Sequence, residues 1–205
     1  MNDPRKPIFD AIRTATPGGN PFDVPGRIAQ LHALLDSWGV RRADAPSAPP
    51  APPDPIPPGY FEMLARIESG NRPYVKAPTS SASGLYQFIR STWIAEGGAW
   101  GPDMSKAFGG LKPSIEEQTA RARSFTMKNL RALQAAGIPI NAATLYAAHF
   151  LGAGTAIRML KTPLDAKAAD IAGAAAARAN PSILGGGRTV RQFREWLERK
   201  TGVRP

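Results

Sequence analysis

Cysteine is absent from the 205 residues, and histidine occurs only twice. Without thiols the chain has no disulfide framework and no thiolate metal centre, so its stability does not depend on redox compartment. Two imidazoles are too few for the usual histidine-based zinc site, and neither a metal nor a cofactor is expected. No apolar run approaches the roughly 20 residues that a membrane-spanning helix needs, so no integral membrane segment is expected. The first residues, Met1 to Arg13, carry Asp3 and Asp10 and lack a continuous apolar core. A conventional secretory signal is therefore not visible, and synthesis in the cytoplasm is expected. One local absence says the most: from Ser69 to Ala95 there is neither Asp nor Glu, and the first acid after Glu68 is Glu96.

What is abundant divides the chain. Net charge is +10 with pI near 10.4, and residues 59–205 hold 20 Lys/Arg against 10 Asp/Glu, the whole of the excess. Such a surface suits a polyanionic or acidic partner, and nucleic acid and bacterial envelope both qualify. The basic residues are scattered, at Arg121, Arg123, Lys128, Arg131, Arg188, Arg191 and Arg194. No helix-turn-helix, zinc-finger or aromatic RNA-binding signature accompanies them, so no nucleic-acid partner is expected. A merely solvated basic surface and an adhesive one both fit the charge.

Read in order, residues 8–15 form a short amphipathic segment that stops at Thr16-Pro17-Gly18-Gly19. Asp23 can cap a second helix and Pro25 suits its first turn, with Ile28, Leu31, Leu34 and Leu35 at helical spacing up to Gly39. Residues 1–42 thus read as a two-helix hairpin, either a folding or oligomerisation appendage or a cell-wall-binding module. Residues 43–58 are so dense in proline that helix and central strand are forbidden, and a polyproline spacer is expected. Residues 59–205 show helical periodicity with sparse strand signals. The spacing predicts a helix from Tyr60 to Glu68 stopped by Ser69-Gly70-Asn71, a loop to Ser83, and a helix from Gly84 to Ala95 with Leu85, Phe88, Ile89 and Trp93 on one face. A long helix opens at the capping signal Ser114-Ile115-Glu116-Glu117 and stops at Gly137-Ile138-Pro139. Further helices are expected from Ala142 to Leu151, from Thr155 to Leu160, over 165–179, and from Thr189 with Val190, Phe193, Trp196 and Leu197 inward. The fold class is mainly α, an irregular helical bundle rather than a heptad coil.

Glu68 lands on a helix end beside apolar and aromatic groups, where desolvation can keep a carboxyl protonated near neutral pH. A general acid of glycosidic cleavage needs that property. Two-carboxylate glycosidases need a second Asp or Glu, and the acid-free interval after Glu68 points instead to a single-acid mechanism in which a substrate 2-acetamido group supplies the second function. Glu96, Asp103, Glu116 and Glu117 remain the alternatives for a second carboxylate. Tyr86 lies off the predicted apolar face and is a candidate sugar-stacking platform. Trp100 reads as a lid or cleft aromatic, Tyr146 as core or cleft, and Gly84 as either a turn residue or a close approach to a sugar.

Glu68-Ser69-Gly70, then Gly84-Leu85-Tyr86-Gln87-Phe88 with Ser91-Thr92-Trp93, then Leu145 to Gly154 resemble in order and spacing the motifs of the soluble lytic transglycosylase family, closest to its phage endolysin and tail-associated versions. The resemblance covers about residues 59–205 and implies a lysozyme-like fold. It implies that Glu68 is the catalytic acid, that Ser69 orients it or the acetamido group, and that Gln87 lines the sugar cleft. Tyr86 stands where the family often has Met. Ala148-His149-Phe150 stands where it has Ala-Tyr-Asn, so His149 takes the place of the Tyr that contacts the acid. Tyr86, Tyr146 and His149 are the other expected substrate contacts. The implied partner is the glycan strand of peptidoglycan, cleaved between N-acetylmuramic acid and N-acetylglucosamine to leave 1,6-anhydromuramyl ends. A hydrolytic muramidase and a non-catalytic wall-binding or virion protein are the alternatives. Reaching the wall would take holin-type release or a place in a virion.

Overall fold

The computed structural model describes residues 3–15, 22, 26–40 and 53–205, and the chain divides into two compact units, Met1–Pro53 and Asp54–Pro205. Among the described residues the secondary structure is almost wholly helical. Strand pairing is limited to the isolated antiparallel bridges Lys76 to Ser83, Ser83 to Phe88 and Lys167 to Thr189. No helix there is long and apolar enough to cross a membrane.

In the first unit α1 spans Lys6–Thr14 and α2 spans Arg27–Ser37. The pair is joined by a buried cation as well as by apolar packing. Arg5 is 1% exposed, donates to His32 Nδ1 at 2.8 Å and pairs with Asp36, while the Phe9 ring lies 5.0 Å from the His32 ring. Leu35 is buried, whereas Ile28, Leu34 and Trp38 are exposed. Gly26, at φ 84°, caps α2 with no side-chain hydrogen bond. Asp23 and Pro25, the expected start signals, lie outside the described residues, as does most of the proline-rich stretch.

The second unit begins inside that stretch. Ile56, its one large apolar residue, is 3% exposed within the core, and Asp54 pairs with Arg123 at 2.7 Å. Residues 54–58, expected to be spacer, are therefore packed on the folded unit, because burying Ile56 is favourable whatever the prolines around it do.

Helix α3, Tyr60–Ser69, starts after Gly59 at φ 73° and ends at Gly70 at φ 61°. Helix α5, Ile115–Ala135, is the longest and is capped by Ser114, whose hydroxyl accepts from Glu117 N at 3.1 Å. Helix α6, Ala142–Leu151, is held by a capping box between Asn141 and Thr144 and buries every residue from Ala143 to Ala148. Helix α7 is Ala153–Lys161. The helix expected over 165–179 is broken into α8, Ala168–Ala172, and α9, Ala174–Ala179, by Gly173 at φ 89°. Helix α10, Val190–Thr201, is capped by a Thr189 and Gln192 box and buries Val190, Phe193 and Leu197.

The largest departure from the sequence pattern is at Gly84 to Ala95. Only Arg90–Ala95 is helical, as α4, and residues 84–87 form a turn between the paired residues Ser83 and Phe88. The turn is fixed by Ser83 N to Phe88 O at 3.0 Å, by Phe88 N to Ser83 O at 3.1 Å, and by Leu85 N donating to the Gln118 side chain at 2.9 Å. Gln118 is 1% exposed and also donates to the carbonyls of Pro73 and Pro113 at 3.1 Å. One buried amide on α5 thus ties three loop segments together, satisfying backbone groups that would otherwise be lost to the interior.

Gly84 carries this turn at φ 80°, and a Cβ there would lie 2.3 Å from Phe108 Cζ and 2.4 Å from Gln118 Oε1. Gly84→Ala should cost more than about 2 kcal/mol in urea unfolding, combining overpacking with backbone strain. Gly137→Ala, also at positive φ but with no atom within 4 Å, should cost only about 1 kcal/mol.

Candidate functional site

Helix α3 and helix α6 meet so that the last turn of one presents Glu68 to Tyr146 and His149 of the other. Glu68 is three residues from Ala65 and four from Leu64, which are both buried, so it sits at the edge of the core-facing stripe rather than on the outer face. Its side chain is 18% exposed, which leaves the carboxyl withdrawn from bulk water yet reachable. Burial pushes the Glu68 carboxyl above the usual value of 4.5, against the smaller opposing effects of a Tyr146 hydrogen bond and the Lys200 charge. The C-terminal end of α3 works in the same direction as burial, since helix C-termini disfavour anions.

His149 Nε2 lies 4.0 Å from Glu68 Oε1. A contact of that length would be an ion pair if the imidazole were charged. Burial holds the ring down to about 4, however, so it is neutral wherever Glu68 would do acid chemistry. Aromatic rings enclose it: Phe125 at 5.9 Å, Phe88 at 6.3 Å, and Tyr146 stacked at 6.3 Å. Its Nδ1 is buried without a well-formed hydrogen bond, and the Tyr86 backbone beside the ring opposes burial only weakly. Tyr146 is 3% exposed, and burial followed by the Glu68 charge opposes its ionisation, so its hydroxyl remains a donor to the carboxyl. Tyr60, on α3, is likewise kept protonated by burial and by Glu68.

The other expected contacts are placed elsewhere. Ser69 is 2% exposed, its hydroxyl donating to Ala65 O at 2.9 Å and accepting from Arg72 N at 3.1 Å. It closes the helix end and does not orient the acid, because adjacent helical residues point about 100° apart. Tyr86 is 4% exposed with its hydroxyl on Thr119 at 3.0 Å and its ring edge-on to Phe61, so it is core and not a stacking platform. The helical spacing that placed it outside does not apply within a turn. Gln87 is half-buried at φ 48°, and its side-chain nitrogen donates to Gly84 O at 2.9 Å and Val75 O at 3.4 Å. Only its side-chain carbonyl is left to offer a sugar. Trp100, expected as a lid, is half-buried against the core, edge-on to Phe108 at 5.9 Å.

The alternative second carboxylates are occupied. Glu96 receives Lys128 Nζ on both oxygens at 2.9 and 3.0 Å, and Glu117 pairs with Arg121 at 2.8 Å. Asp103 is held down to about 2 by hydrogen bonds from Ser105 and Lys106. Glu116 is exposed and held below its usual value by hydrogen bonds from its own backbone N–H and from the Ser114 hydroxyl. None of the four acts on the Glu68 charge; Tyr146 and Lys200 do. Phe150, at the position where the resemblance expects Asn, fills the space between α6 and α10 against Trp196 at 5.0 Å and Phe193 at 6.4 Å.

Two participants were not singled out by the sequence. Gln118 has no signal beyond being a polar residue on the inner face of an otherwise periodic helix. Lys200 follows Trp196 by four residues, a spacing that could have marked a shared face, but its nearness to Glu68 depends on how α10 packs on α6.

Because the folded state keeps His149 neutral while the unfolded chain binds a proton near pH 6.5, stability falls as pH drops through the interval from about 6.5 to about 4. In an NMR titration the His149 ring should hold its neutral shifts down to pH 5 and move only near pH 4. A midpoint near 6.5 would mean a ring open to water. Compared with known proteins, the chain matches no family model and no curated protein.

Proposed function

We propose that the second unit is a lysozyme-like domain that cleaves the β-1,4 bond between N-acetylmuramic acid and N-acetylglucosamine in peptidoglycan, with Glu68 as its one acid and base. The observation that carries this reading is a carboxyl pushed above its usual value by burial, 18% exposed, beside a neutral His149 and the Tyr146 hydroxyl, with no second carboxylate acting on it among the described residues. Neutral Glu68 gives its proton to the glycosidic oxygen. The muramyl 2-acetamido oxygen stabilises the positive charge that develops at the anomeric carbon. Ionised Glu68 then takes the proton from the muramyl C6 hydroxyl, whose oxygen bonds to the anomeric carbon and closes the 1,6-anhydro ring. The enzyme returns to its starting protonation state with no water consumed.

Tyr146 supports both halves of the cycle, since its hydroxyl can donate to the carboxylate once the proton has left. His149 does not neutralise that carboxylate, because protonating the buried ring is costly. The basic surface of residues 59–205 suits the anionic envelope in which such a glycan lies.

Mass analysis of muropeptides released from isolated sacculi tests the reading. Ends lighter by one water are expected from the wild type, with release about 10³-fold slower for Glu68→Gln, since that change removes the transferable proton at nearly constant shape. Reducing ends would make the protein a hydrolytic muramidase, and sacculi left intact by the wild type would remove the enzymatic reading.

A further inference from the structure

Helix α10 reaches the site through one stack of rings. Tyr146 lies over His149 at 6.3 Å and 16°, and Trp196 over Tyr146 at 5.5 Å and 29°. Trp196 is half-buried, and Lys200 stands one helical turn beyond it on the same face. Lys200 is exposed and makes no ion pair among the described residues. Of the acids on its helix, Glu198 pairs with Arg204 at 3.2 Å, and Glu195 lies five residues back, off the face of Lys200. An ammonium group without an ion-pair partner therefore lies close enough to the carboxyl to act on its charge, on the helix whose Trp196 stacks on Tyr146.

We propose that Lys200 is the recognition cation for an anionic arm of the glycan: the carboxylate that a muramyl residue carries on its lactyl group or, where that is amidated, on its stem peptide. The inference rests on the glycosidase reading of Glu68 and names the part of the substrate that lies beside the acid. An ammonium group with no partner is strongly hydrated and exposed, the state from which a rim charge steers and orients an oppositely charged ligand. The geometry also resolves a conflict. The groups facing Glu68 are Tyr146 and His149 from α6, Tyr60 from its own helix, and Lys200 from α10. Of these Lys200 is the one cation, and it pulls the carboxyl towards ionisation, against the needs of a proton donor. A substrate carboxylate paired with Lys200 cancels that pull, so the acid holds its proton more firmly once the correct substrate is bound.

The test compares wild type, Lys200→Ala and Lys200→Arg on three substrates: intact sacculi, glycan stripped of stem peptides, and stripped glycan with its lactyl carboxylates converted to amides. Lys167→Ala controls for the loss of one surface charge. Lys200→Ala should lower kcat/KM about two- to fivefold on a carboxylate-bearing substrate, the scale of an exposed ion pair, and flatten its salt dependence. On the amidated glycan, where no substrate carboxylate offsets the lysine, that loss should be absent and cleavage at least as fast as by the wild type, and Lys200→Arg should restore activity on the charged substrates. Loss on stripped glycan identifies the lactyl carboxylate, and loss confined to intact sacculi identifies the stem peptide. In the alanine variant the upper pH limb of kcat/KM should also move to higher pH, a change that a merely structural lysine would not produce. Equal loss on all three substrates, or none on the charged ones while the wild type cleaves normally, overturns the subsite alone. A wild type that releases nothing from sacculi overturns the glycosidase reading and the subsite with it.

Discussion

A carboxyl group moved out of water without a cation in contact is harder to ionise, and the second unit is laid out so that burial pushes Glu68 in that direction. Helix α3 ends one residue later at Ser69, with Gly70 turning the chain away at φ 61°. The acid therefore sits at the negative end of a helix and at the margin of the core. Helix α6, buried from Ala143 to Ala148, supplies Tyr146 and His149, and Phe88 and Phe125 complete the dry wall behind the imidazole. Because that ring is neutral, the 4.0 Å approach of Nε2 to Oε1 does not become the ion pair that would ionise the acid.

The scaffold around this pair depends on buried polar groups as much as on apolar ones. Gln118 holds the loops at Pro73, Leu85 and Pro113. Ser83, fully buried, donates its hydroxyl to Ser81 O at 2.9 Å and accepts from Phe108 N at 3.2 Å. Each bond is worth about 1 kcal/mol when made and costs more when a buried group is left unpaired. A turn built this way has few alternative arrangements, and it is what carries Phe88 to the back of His149.

The acid, its helix and its stop signal were legible in the sequence because they are local: apolar spacing, a glycine after the last turn, and an acid one residue before the end. Helix α6 and its Asn141 cap were legible for the same reason. The segment from Gly84 to Phe88 was not. Its apolar residues fit a helical face, while the interactions that decide its shape come from Gln118, Val75 and Phe108, which lie distant in sequence. Tyr86 changed from platform to core with that segment, and Ser69 from site to cap once its hydroxyl found Ala65 and Arg72. Tyr146, left between core and cleft by its pattern, belongs to both: it is buried, and its hydroxyl serves the acid. The tertiary step also brings α10 to the site, since nothing in Trp196 or Lys200 alone says which helix their face will cover.

The chemistry assigned to Glu68 requires that its carboxyl be harder to ionise than an ordinary glutamate, and that property can be measured without substrate. A titration of the protein labelled with ¹³C at glutamate side-chain carboxyls, with Glu68 assigned by comparison with Glu68→Gln, gives the midpoint directly. The Glu68 midpoint should lie above the ordinary 4.5. A midpoint at or below that value would show a solvated or ion-paired carboxylate, and would contradict its role as the proton donor.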